Sequence, residues 1–189
     1  MPFLCYTDVK LFIFGGVDMD IVFSSERLNF RKISANGYKS LCKILQDKEI
    51  MYAWEHAFSD EEVSEWIDKN LVRYKNEGFS YFAAIEKNTQ SFIGVIGPLI
   101  DDINGKKQIE IAYILDKEYW GSGYAIEGAK ACVEYAFNAL NIDKVIAQIR
   151  PENTSSRKVA EKIGMKIEGE FIKTYNGKDM PHLIYSRSK

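Results

Sequence analysis

Histidine and cysteine are scarce in this chain, and their spacing excludes whole classes of chemistry. Two histidines and three cysteines occur in 189 residues. Cys5, Cys42 and Cys132 stand far apart, none at a metal-ligand spacing, so no metal is expected. Their odd number fits no disulfide framework, and a reducing cytoplasm is the expected setting. No cysteine has a recognisable histidine partner, which argues against a covalent acyl-enzyme. Strong charge of one sign is missing too. The net charge is −2 with both signs interspersed, so the basic surface of an obligate nucleic-acid partner is absent. No apolar run approaches the roughly 20 residues of a membrane helix. Nor is there a Gly-Lys-Ser/Thr phosphate loop, an internal repeat, a low-complexity tract or a linker. The chain reads as one domain, with 46% hydrophobic residues to build its core.

What stands out is Tyr113-Ile-Leu-Asp-Lys-Glu-Tyr-Trp-Gly-Ser-Gly-Tyr-Ala-Ile-Glu127. An apolar strand ends, a short loop carries Gly121 and Gly123, and a long amphipathic helix begins. Unpaired N–H groups and the helix dipole make such a terminus attractive to an anion. Glycine lets a phosphate approach the backbone without a Cβ in the way. A dinucleotide fingerprint would want a third glycine at Ile126, and isoleucine rejects it. By themselves Gly121 and Gly123 are equally compatible with a plain strand-to-helix turn.

The remainder alternates. Arg27–Ile33 reads as a strand and Tyr38–Gln46 as a helix. Ser59 and Glu62 have the capping-box spacing, with Phe58 and Val63 at the staple positions. Val63, Trp66, Ile67, Leu71 and Tyr74 then form an apolar stripe. Strands are expected at Phe79–Ile85, Ser91–Ile96 and Gln108–Leu115, the last after an Asn104-Gly105 hairpin. In that last strand Ile109, Ile111 and Tyr113 face one side, and Glu110, Ala112 and Ile114 the other. A helix over Ser122–Leu140, a strand over Lys144–Arg150 and a helix over Ser155–Ile163 capped by Gly164 follow. Met165–Lys173 and Met180–Tyr185 close the chain as a hairpin around Asn176-Gly177. The expected architecture is a single α/β (α+β) domain with a mixed sheet. Residues 1–18 match a secretory signal poorly and read as an N-terminal extension or extra edge strand, with Met19 as an alternative start and residues 19–189 as the domain proper.

Four segments carry a resemblance in correct order: Glu110-Ile-Ala-Tyr-Ile-Leu115, Trp120-Gly-Ser-Gly-Tyr-Ala125, Asn153-Thr-Ser-Ser156 and Glu161-Lys-Ile-Gly-Met165. From Glu26-Arg-Leu28 to about Tyr185 the chain resembles the GNAT N-acetyltransferase superfamily, and within it the RimJ/RimL-type branch that acetylates N-terminal amines of ribosomal proteins. The superfamily loop motif is Gln/Arg-x-x-Gly-x-Gly/Ala, and Glu118 stands at its first position, a departure. That loop works chiefly through backbone N–H groups, so the site is expected to survive the change.

The resemblance implies a mostly antiparallel sheet splayed between the strand of Glu110 and the strand of Gln148. It implies acetyl-CoA as co-substrate, its pantetheine arm pairing with the backbone of Tyr113, Ile114 and Leu115 like an added strand. Its pyrophosphate would rest on amides of the Trp120, Gly121, Ser122, Gly123, Tyr124, Ala125 and Ile126 segment. Asn153 offers the pantetheine amides a donor and an acceptor, although Asn before a helix is also an ordinary cap. Glu110 matches the family's acidic residue and is the candidate base; a mid-strand carboxylate bonded to its neighbours is the structural alternative. Ser156 is the candidate to bond the departing thiolate, or is simply a first-turn residue. The tyrosine that many members carry one turn later is Ala160 here, which excludes that version of the acid. A backbone N–H near Ile114 would polarise the thioester carbonyl. The expected acceptor is a protein N-terminal α-amine, with a small amine such as a polyamine or an aminoglycoside, or a non-catalytic acyl-CoA-binding module, as the alternatives. His56 and His182 read as satisfied or surface residues, and Asp60, Glu61, Glu62 and Glu65 as partners of their own helix terminus. A homodimer through the final hairpin's edge remains open.

Overall fold

A computed structural model describes residues 21–103, 105–175 and 177–189. The N-terminal extension, Asn104 and Asn176 lie outside the described residues. Eight strands form one sheet in the order β1-β2-β3-β4-β5-β6-β8-β7. They are β1 (Ile21–Ser24), β2 (Leu28–Lys32), β3 (Phe82–Glu86), β4 (Phe92–Ile103), β5 (Lys106–Leu115), β6 (Lys144–Ile149), β7 (Lys166–Tyr175) and β8 (Lys178–Ser188). The helices are α1 (Tyr38–Leu45), α2 (Asp60–Asn76), α3 (Tyr124–Asn138) and α4 (Thr154–Lys162). The expected order of strands and helices is therefore met, with β1 added at the edge.

Two apolar layers sandwich the sheet. On one face α1 and α2 press Leu41, Ile44, Leu45, Val63 and Ile67 against Tyr81, Val95, Leu99 and Ile114. On the other, Ala129, Val133, Ala136 and Phe137 of α3 and Ala160 of α4 meet Phe30, Ile96, Ile111 and Val145. The alternation read from β5 thus assigns faces correctly: Ile111 lies toward α3, Ile114 toward α1 and α2.

Helix α2 starts as its sequence dictates. Ser59 Oγ accepts from the Glu62 N–H at 3.2 Å, and the Glu62 carboxylate accepts from the Ser59 N–H at 2.8 Å. Its stripe differs from the expected one in the middle. Leu71 is exposed, while Asn70 is buried, donating to the Trp66 carbonyl and accepting from Ser80 Oγ at 2.6 Å. Paired in this way, a buried amide is tolerated where the helical pattern alone asks for leucine.

Strand β4 runs seven residues past its expected end at Ile96. Gly97-Pro98 looks like a stop in sequence. However, β3 begins only at Phe82, opposite Ile96, so Pro98 has no β3 ladder to interrupt. Gly97 lies so close to the backbone of Ser80 and Tyr81 that a Cβ would come within 2.4 Å of the Ser80 carbonyl oxygen.

Candidate active site

One interruption in the sheet frames the candidate site. Strands β5 and β6, the parallel pair, match only at Ile109 with Val145 and Glu110 with Ile146. Beyond that point β6 continues to pair with β8, and β5 with β4, on their far sides. Among the described residues, Ile111–Leu115 therefore have no strand on the β6 side. An open edge inside a sheet is costly unless something else meets its polar groups. The expected splay is present, and Glu110 sits at the fork.

Glu110 shares the α1/α2 face with Leu99 and Ala112 and is half-buried. Gln148 holds both of its oxygens: the backbone N–H donates to Oε1 at 3.4 Å and Nε2 to Oε2 at 3.3 Å. Burial pushes the carboxyl up to about 7. Lys173 opposes the rise, Asp101 adds to it, and the Gln148 N–H and Arg73 oppose it. A group with that pKa is half ionised near neutrality, the condition that suits a general base.

Where β5 ends, Asp116 is buried and accepts from the Glu118 N–H at 3.1 Å, capping a short 3-10 turn over Lys117–Tyr119. Lys43 of α1 pairs with Asp116 at 2.6 Å and with Glu118 at 2.9 Å. Glu118, at the departing motif position, is thus turned toward α1 and its charge is matched there. The indole of Trp120 donates to the Leu115 carbonyl at 3.1 Å and ties the loop back to the strand.

The glycines are needed where they stand. Gly121 has φ +73° and Gly123 φ +84°, both in the left-handed region. Helix α3 begins at Tyr124, two residues later than expected, because left-handed Gly123 forms its N-cap. The first helical bond runs from the Glu127 N–H to the Gly123 carbonyl at 3.1 Å. The N–H groups of Tyr124, Ala125 and Ile126 accordingly have no backbone acceptor among the described residues. A Cβ built on Gly121 meets nothing within 4 Å, so the loop is open on that side. Arg27 borders the loop, which the sequence reading missed. Its guanidinium lies 4.1 Å from the Tyr124 ring centroid, reaches the Ser122 carbonyl at 3.1 Å, and pairs with Glu127 at 2.6 Å.

Ser156 and Glu110 come from opposite faces of the sheet. Asn153 Oδ1 accepts from the Ser156 N–H at 3.0 Å, so Asn153 is the N-cap of α4, the structural role foreseen for it. The Tyr113 hydroxyl donates to the Ser156 carbonyl at 3.2 Å and fastens α4 to β5 beside the gap. Burial pushes that hydroxyl up to about 12, so it stays a neutral donor. Ala160 is buried against the core. Both histidines are bonded: His56 Nε2 lies 3.0 Å from Glu62 Oε1, and His182 Nδ1 3.0 Å from the Met180 carbonyl. Burial pushes the His182 ring down, favouring its neutral form.

Strand, fork, glycine loop and helix terminus describe an acyltransferase of one family. Residues 27–166 match the acetyltransferase (GNAT) domain, and the chain belongs to that family. YkkB of Bacillus subtilis is 32% identical over 86% of this chain and 93% of its own length. The N-acetyltransferase YnaD of the same organism is 30% identical over 79% of this chain and 85% of its own. A GNAT acetyltransferase from Bacillus anthracis superposes with TM-score 0.74 at 27% identity, covering 88% of this chain and 97% of the other. Two further structures share the fold. A ribosomal-protein alanine acetyltransferase from Vibrio fischeri has TM-score 0.72 at 23% identity, covering 89% and 97%. A spermidine N-acetyltransferase from Vibrio cholerae, in complex with CoA and spermine, has TM-score 0.70 at 20% identity, covering 86% and 95%. The chain is an N-acetyltransferase, and its single α/β domain is the GNAT fold.

Proposed function

We propose that the chain transfers an acetyl group from acetyl-CoA directly to a protein N-terminal α-amine, as the RimJ/RimL-type branch does. The observation that carries this reading is the end of β5–β6 pairing at Glu110, which leaves an open strand edge leading to the uncapped amides of α3. The residues fit such a ligand. The edge at Tyr113, Ile114 and Leu115 suits the amides of a pantetheine arm, and Gly121 to Ile126 suit a diphosphate. When bound, acetyl-CoA supplies an activated thioester; the chain supplies geometry and proton handling.

Glu110 takes the proton of the attacking amine, directly or through water. An α-amine, with a pKa of about 8, is partly neutral at physiological pH, so a base of pKa about 7 is adequate. A lysine-like amine near roughly 10.4 asks for far more help. The Ile114 N–H is the candidate to polarise the thioester carbonyl, and Ser156 to bond the sulfur that leaves. A thiol of pKa about 8.5 needs little protonation on departure, so Ser156 has a minor part. The reading includes a cytoplasmic setting, consistent with free Cys42 and Cys132.

The small-amine alternative rests on a 32% identity to the spermidine N(1)-acetyltransferase of Escherichia coli, over 35% of this chain. Of the acidic cluster at the start of α2, Asp60 accepts from Gln46, Glu61 from Ser59 Oγ, and Glu62 belongs to the capping box, which favours a role at their own helix terminus. Thiol release from acetyl-CoA across N-terminal peptides, polyamines and aminoglycosides tests the assignment, beside a thermal-shift titration with CoA. Fastest turnover of a peptide, with little salt dependence, is expected; polyamine turnover that falls steeply with salt would overturn the acceptor. CoA that leaves the melting temperature unmoved at millimolar concentration would overturn the binding site.

A further inference from the structure

Four polar side chains from four different strands meet beside the fork. They are Asp101 of β4, Glu110 of β5, Gln148 of β6 and Lys173 of β7. Gln148 Nε2 donates to Asp101 Oδ2 at 2.5 Å as well as to Glu110 Oε2 at 3.3 Å. Gln148 Oε1 accepts from Lys173 Nζ at 3.3 Å, and Lys173 pairs with Asp101 Oδ2 at 3.1 Å. Only one amide orientation fits this setting. Turned over, Gln148 would set its carbonyl oxygen against two carboxylates and its NH2 against an ammonium. The amide is therefore locked by charge on both ends.

Its backbone is placed just as tightly. Gln148 lies two residues past the last β5–β6 match, where the β6 N–H would be left over by the splay. That N–H donates to Glu110 Oε1, so main chain and side chain of one residue clasp both carboxyl oxygens.

We propose that Gln148 is the positioning residue of the proton-transfer site, clasping Glu110 at the mouth of the strand gap while Lys173 and Asp101 fix its amide. This rests on the reading of Glu110 as base. Gln148 acts through Glu110, whose aim toward the acceptor it sets. Lys173, from the outer strand of the final hairpin, thereby connects the sheet edge to the reacting centre.

The charged and titratable groups that face Glu110 are Lys173 of β7, Asp101 of β4, Arg73 of α2 and the Tyr81 hydroxyl just before β3. Lys173 and Arg73 favour the carboxylate; Asp101 disfavours it. The two members of the ion pair should therefore move the Glu110 titration in opposite directions.

The test uses the full chain. Glutamate carboxyls are labelled with carbon-13 and titrated by NMR, with the Glu110 signal assigned by its loss in Glu110→Gln. Gln148→Leu and Lys173→Met should each raise the Glu110 midpoint, Asp101→Asn should lower it, and Lys173→Arg should restore the parent value. With an alanine-starting peptide as acceptor, Gln148→Leu should lower kcat tenfold or more, toward the roughly hundredfold that a misplacement of about 1 Å can cost, with KM for acetyl-CoA unchanged. A CoA-induced thermal shift retained in each variant shows that the fold and the cofactor site persist. Unmoved midpoints in Gln148→Leu and Lys173→Met, beside an inactive Glu110→Gln, would overturn this proposal alone. Full turnover by Glu110→Gln would overturn the base assignment beneath it.

Discussion

Replacing Glu110 by Gln should make the enzyme slower and more stable at once. The carboxyl is carried from an ordinary 4.5 to about 7 in the folded chain, mainly by burial. The sign follows from linkage. Between those two values the folded state holds a proton that the unfolded state has released, so the wild type loses stability as pH rises through that window. Above about pH 7 the loss is complete. At 1.36 kcal/mol per pKa unit it amounts to about 3 kcal/mol at most. Gln carries no charge and keeps an oxygen for the Gln148 N–H, so the variant escapes this cost. Melting curves of both proteins from pH 4.5 to 8.5 should coincide at the acid end and separate up to pH 7, with the variant higher by several degrees. Turnover should meanwhile drop by about 10²–10⁴. The acid limb near pH 7 in kcat/KM should disappear, leaving only the limb of the amine near roughly 8. A melting difference that does not change with pH would refute the argument, since it would mean that Glu110 titrates alike in the folded and unfolded chains.

Gly121→Ala introduces a Cβ that meets no protein atom but forces φ +73° on an L-residue, for about 1–2 kcal/mol of strain. CoA affinity that falls tenfold or more with only a few degrees of melting loss would show that the open side faces the ligand; equal affinity would show that it does not. Ser156→Ala should cost less than tenfold in kcat, and because the Asn153 cap uses the Ser156 backbone N–H the melting temperature should hold. A loss of a hundredfold or more in a stopped-flow assay would make Ser156 an essential acid after all. Ser59→Ala removes one arm of the capping box and should cost about 1 kcal/mol by urea unfolding, with acetyl-CoA turnover unchanged.

Much of this molecule is legible in local pattern. Capping signals, turn residues and apolar periodicity are properties of neighbouring residues, and they place the helices to within about two positions. The parity of β5 alone puts Glu110 and Tyr113 on opposite faces, as found. The glycine loop reads as an anion site because left-handed backbone and unpaired helix amides are local facts. The errors are equally physical. Strand β4 runs past its expected end at Ile96, because Pro98 is harmless where β3 has not yet begun. Asn70 for Leu71 follows from a partner, Ser80, ten residues away.

The sequence by itself determined the element order, the two faces of the sheet and the glycine loop before α3, with its left-handed backbone. The resemblance anticipates that the strands of Glu110 and Gln148 splay; tertiary structure decided that they part just after Glu110 and Ile146, and which side chains meet there. Asp101, Glu110, Gln148 and Lys173 span 72 positions of chain, and no spacing rule joins them. Of the four, Glu110 alone stands out in sequence, as a mid-strand carboxylate; Asp101, Gln148 and Lys173 are ordinary polar residues in their own strands. Only the sheet order, with β6 between β5 and the final hairpin, brings them into one hydrogen-bonded chain at the partly buried fork, where each changes what the others can do.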